Sequence, residues 1–143
     1  MRVFGIIVLI GLLGIAILEY KCSSVIESYY MTYDEVLEAE AIGRGWIPEF
    51  LPKSAKNIVE KHNIENNWGV VEFSFSNDDK QLILSVVNKV HLSKIEVLKK
   101  RMPSVTELDI SGKIDFYMVQ NDFEKGYLAV NWVQLRAIYW FIP

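Results

Sequence analysis

The stretch Trp68-Gly69-Val70-Val71-Glu72-Phe73-Ser74-Phe75-Ser76 decides how this chain of 143 residues is read. In its second half Val71, Phe73 and Phe75 alternate with Glu72 and Ser74, the two-residue period of a strand with one apolar face. Beyond it, Asp78 to Val90 carries an apolar stripe at helical spacing: Leu82, Ile83, Val86, Val87 and Val90. Ser93 and Glu96 form a capping box for a further helix that ends near Arg101, ahead of Pro103. Three more strands follow, Ile114 to Gln120, Tyr127 to Trp132 and Ala137 to Ile142. Asn121 to Gly126 supplies a hairpin turn between the first two.

In the other direction, an asparagine-rich turn from Asn63 to Asn67 precedes the strand. Ser54 is placed to cap a short helix whose apolar side is Ala55, Ile58, Val59 and His62. Ahead of it, Gly45-Trp46-Ile47-Pro48-Glu49-Phe50-Leu51-Pro52 holds two prolines four apart, which excludes regular helix or central strand and leaves a stiff extended connection. Thr32 and Glu35 make a capping box, and Tyr33, Leu37 and Ala41 recur along one face until Gly43 stops the helix. Strands interrupted by helices predict an α+β domain: a small antiparallel sheet with helices packed on one face.

The N-terminus follows a different physics. From Val3 to Leu18 there is no charge, and Val3, Phe4, Ile6, Ile7, Leu9, Ile10, Leu12, Leu13, Ile15 and Leu18 make the run apolar on every face. As a helix, about 16 residues at 1.5 Å each span roughly 24 Å, slightly short of the ~30 Å hydrocarbon core. Tyr20 at the interface and a snorkelling Lys21 extend it. A cleaved signal peptide needs small residues just after the apolar stretch, where Glu19, Tyr20 and Lys21 stand instead. An uncleaved signal anchor is therefore expected over 1–21, followed by a juxtamembrane linker over 22–31 and one extracytoplasmic domain over 32–143. Arg2 and the terminal amine keep the N-terminus inside, so the domain lies in the periplasm or at the cell exterior of a bacterium. Cys22 with Ser23 and Ser24 has the look of a lipidation site. The bulky, charged residues before it do not suit that processing, and a plain free thiol is the expectation.

Composition narrows the chemistry. A net charge of −3 argues against nucleic acid, whose phosphates favour a basic surface. A single cysteine excludes an intrachain disulfide framework. There is no Gly-x-Ser-x-Gly elbow, phosphate loop or dinucleotide fingerprint. The two histidines, His62 and His91, fall on different predicted elements, so no metal site is expected. No catalytic set and no cofactor follow from this sequence. Two candidates remain. The rigid, aromatic segment of Trp46, Ile47, Pro48, Phe50, Leu51 and Pro52 reads either as a partner-binding epitope or as a buried strap between helix and sheet. His62, beside the turn, reads as a structural residue bonding turn backbone groups or as a switch.

The pattern Gly45-Trp46-Ile47-Pro48-x-x-Leu51-Pro52-x-Ser54-Ala55-x-x-Ile58, then His62-Asn63-Ile64-x-x-Asn67, resembles small bacterial membrane-anchored proteins and lipoproteins with a YbbD-type head domain. The resemblance covers Tyr33 to Phe75, about a third of the chain. Glu65-Asn66-Asn67 stands where the pattern usually reads Asp-Thr-Asn. The resemblance implies a shared fold and an envelope location, and implies no activity. The expected function is thus a membrane-anchored, non-catalytic interaction domain whose partner is another envelope protein, of immunity type or within an envelope complex. The alternative is a small-ligand or lipid-binding domain with an aromatic-lined pocket.

Overall fold

A computed structural model of the chain describes residues 24–90, 92–101, 113–120 and 125–141. The expected anchor over 1–21 and Cys22 lie outside the described residues, and within them no helix is long and apolar enough to cross a membrane. Strands β1 (Val25–Thr32), β2 (Lys56–Asn63), β3 (Trp68–Ser74), β4 (Val87–Lys89), β5 (Asp115–Gln120), β6 (Lys125–Asn131) and β7 (Arg136–Phe141) form one sheet, ordered β1-β2-β3-β7-β6-β5-β4. Every neighbouring pair is antiparallel. The sheet is two runs of adjacent strands, β1–β2–β3 and β5–β6–β7, joined where β3 lies against β7. Helices α1 (Tyr33–Glu38), α2 (Lys80–Ser85) and α3 (Leu92–Arg101) fill the connections, with a single 3₁₀ turn at Asn77–Asp79 before α2.

Residues opposite each other across antiparallel strands share a face, so the register sorts the core. On the first face Ile58, Val71, Phe73, Tyr139, Leu128 and Val130 meet Val36 of α1, Ile83 of α2 and the connection from Ala41 to Ala55. On the second, Val70, Phe116, Ala129, Ile138 and Trp140 pack with Leu98 of α3. The helices therefore cover both faces, not one as the sequence reading had it. The β7 strand explains why: Ala137 to Phe141 is buried throughout, and a strand apolar on both sides needs cover on both sides.

Three local expectations are corrected. The linker read over 22–31 contains β1, which pairs with β2 from Val25↔Asn63 to Thr32↔Lys56, so the folded unit starts before residue 32. The helix read from Asp78 to Val90 stops at Ser85, and Val87–Lys89 becomes β4 against β5. Val86 and Val87 are β-branched and fit the pleated edge better than a helical turn. The short helix after Ser54 is strand β2. The Ser54 hydroxyl caps nothing there; it accepts from Ser76 N at 2.8 Å and donates to Asp79, tying the connection to the 3₁₀ turn. Thr32 does cap α1, with Glu35 N donating to Thr32 Oγ1 at 3.4 Å, while Glu35 Oε2 reaches one residue further back and accepts from Met31 N at 2.7 Å. The helix ends at Glu38, short of the expected stop at Gly43.

Candidate functional site

Five positions line up across the first face at one end of the sheet: Ile26, His62, Gly69, Phe141 and Gly126. The glycines make this row low. A Cβ on Gly69 would sit 2.5 Å from Phe141 Cε1, and one on Gly126 would collide with the Tyr139 ring, so each aromatic leans across its neighbouring strand. Over this floor lies Trp46. Its ring is stacked on His62, centroids 4.0 Å apart and planes 10° apart, and on Phe141 at 6.0 Å and 21°.

Beneath the indole sits a buried polar pair. Glu60 and His62 are two apart on β2 and so point to the same side, with 3% and 6% of their surfaces exposed. His62 Nδ1 donates to Glu60 Oε1 at 2.5 Å. That bond fixes the ring's orientation, and Nε2 is the acceptor whenever the ring is neutral. The partner strand contributes Ser28 opposite Glu60 and Ile26 opposite His62. Together with Tyr30, Ala41, Arg44 and Ile64 these groups line a cleft of about 240 Å³ beside Trp46. Arg44 Nη2 donates to Ala39 O at 2.8 Å, anchoring the guanidinium against the end of α1.

The sequence candidates separate on this geometry. Of the rigid segment, Ile47, Leu51 and Pro52 are buried in the first-face core, and Phe50 packs edge-on to Tyr139 at 5.5 Å. Ile47, Leu51 and Pro52 thus serve as a strap, Phe50 stays half-buried, and half-buried Trp46 is the member that borders the cleft. His62 does not bond the turn. Asn63 does, accepting from Asn66 N at 2.8 Å while its Nδ2 donates to Ser24 Oγ at 2.7 Å, and Asn67 closes the turn at φ 48°. Glu60, Arg44, Ser28, Ile26 and Ile64 were not singled out by sequence. A carboxylate and an imidazole two apart, read as a strand, was the available signal.

The remaining tryptophans do not converge on one groove. Trp132 is on the first face, where its Nε1 donates to Tyr117 Oη at 3.3 Å and Lys80 lies over its ring at 5.4 Å. Trp68 and Trp140 belong to the second face, and the Trp140 indole N–H is buried without an acceptor among the described residues. Burial pushes the Tyr117 phenol above its usual range, against the bond from Trp132. Among the described residues no three His, Cys, Asp or Glu side chains are grouped to hold a metal ion.

Residues 24–74 match the family model of the YbbD head domain. The matched stretch runs from just before β1 to the end of β3, so it starts earlier than the resemblance expected from sequence and contains every residue that lines the cleft. No curated protein and no solved structure matches the chain.

Proposed function

We propose that the chain is a non-catalytic interaction domain, held at the outer face of a bacterial inner membrane by residues 1–21, that grips another envelope protein at the Trp46 cleft. An immunity-type protein and an envelope-complex subunit are the two specific forms of this reading. One observation carries it: the rim of the cleft is apolar and exposed, Ile26 at 44% and Ile64 at 62%, around a half-buried tryptophan and an arginine. Aromatic and arginine anchors in a partly desolvated pocket are what binding hot spots are made of. The rigid pair below adds shape, because a buried, mutually bonded Glu60 and His62 cannot collapse into the cleft.

The test places a photocrosslinking side chain at Ile64 in the full-length protein in native membranes, with Val133, an equally apolar position 86% exposed in the β6–β7 turn, as control. One discrete adduct from position 64 and none from 133 is expected. Ile64→Asp should remove partner co-purification while shifting stability by less than about 0.5 kcal/mol, since it alters only surface. Adducts of equal yield from both positions, or none from 64, would sink the reading.

A further inference from the structure

The second face carries a cavity that the Trp46 cleft does not explain. It opens between α3 and the β4–β5–β6 end of the sheet and measures about 480 Å³, within the range of roughly 300–1,000 Å³ that small-molecule sites occupy. Its walls are Val90, Leu98, Met118 and Tyr127. Register places Met118 opposite Tyr127 on adjacent strands, and Leu98 reaches down from α3 into the cluster around Trp140. Met and Tyr suit a long aliphatic guest, the first by conformational freedom and the second by its broad apolar ring. At the lip Val97 is 51% exposed, an apolar side chain left in water beside exposed Lys94 and Glu96.

The charge on this cavity is one-sided. Lys94, in the first turns of α3, lines it and Lys89 borders it at the end of β4, and among the described residues no acidic one does. In a chain of net charge −3 such a lining is against the average. We propose that this cavity binds a single acyl chain bearing an anionic head, with the chain along Val90, Leu98, Met118 and Tyr127 and the head at Lys94. A neutral apolar guest would leave the Lys94 ammonium unrewarded, whereas a carboxylate or phosphate there gains a charge-assisted hydrogen bond from it. The site lies on the opposite face from the Trp46 cleft and does not depend on the interaction reading.

A photoactivatable fatty acid with a diazirine in its chain, added to the full-length protein in phosphatidylcholine nanodiscs, tests this by peptide mapping of the label. Label on the peptides carrying Val97 to Leu98 and Met118 to Tyr127 is expected. Lys94→Glu should lower it about tenfold, the loss expected for one charge-assisted contact. Val97→Glu, also a surface change, should lower it similarly with the far-ultraviolet spectrum unchanged. Displacement by excess palmitate identifies a free fatty acid as the guest, and displacement by phosphatidylglycerol in the disc identifies an acidic phospholipid. Label that neither competitor displaces, or that both variants leave intact, overturns the proposal.

Discussion

The two ends of the sheet solve the same packing problem with different residues. In β5–β6–β7 the first-face residues Tyr117, Val119, Leu128, Val130, Ala137, Tyr139 and Phe141 are all buried. Among the described residues the one charged side chain on that face, Asp115, sits half-exposed at the end of β5. In β2 the corresponding positions are Ile58, Glu60 and His62, buried to the same degree. Two ionisable side chains inside a sheet face carry a desolvation cost that apolar residues avoid, offset here by their mutual bond and the Trp46 lid. A fold seldom carries such a pair for stability alone; local rules tend to be broken at sites that do something else.

The sharpest way to break this comparison is to damage each end. Trp140→Ala, emptying a fully buried position on β7, should cost about 3–5 kcal/mol in denaturant unfolding. Glu60→Ala should cost less, about 1–3 kcal/mol, by orphaning His62. Replacing both partners, Glu60→Leu with His62→Leu, should recover most of that loss without restoring capture of the partner. If the double variant is as unstable as the single one, the pair is structural and the contrast between the two ends fails. Gly69→Ala should cost about 1–2 kcal/mol by displacing the Phe141 ring, and should weaken partner capture because Trp46 rests on that ring.

The smallest expected effect is at Tyr117. Its folded-state pKa is raised by burial, so folding favours the protonated phenol. That contribution is complete below the unfolded value near 10 and is lost as pH climbs through the folded one. The melting temperature should therefore fall above about pH 10, and less steeply in Tyr117→Phe. An equal slope in both proteins would remove burial of this phenol as the cause.

This contrast also explains what could be read in the sequence. Strands β3, β5, β6 and β7 were legible because their alternation or continuous apolarity reports burial directly. So were the start of α1, through Thr32 and Glu35, and the existence of α3, although α1 ends at Glu38 and not at Gly43 and buries Val36 while Leu37 is exposed. Strand β2 was not, since the polar pair at its inward positions erases the period of two and leaves Ile58, Val59 and His62 mimicking a helix. Strand β1 was hidden for a related reason: as the outermost strand it buries little, and Val25, Tyr29 and Met31 stay exposed. Trp46 was recognisable as a candidate by composition. Its stacking on His62 was not, because it depends on the row of glycines that only the register brings together.

The β3–β7 seam has a consequence for how the molecule is made. Gly69 pairs with Phe141 and Ser74 with Arg136, so the middle of the sheet is closed by contacts more than sixty residues apart. Long-range pairing of this kind is slow to form. While the chain is being synthesised, β3 has no neighbour on its far side until the final strand emerges, and an open strand edge invites wrong partners. Premature termination anywhere before Arg136 should then yield an aggregating product and not a smaller working domain, even though residues 24–74 would be complete.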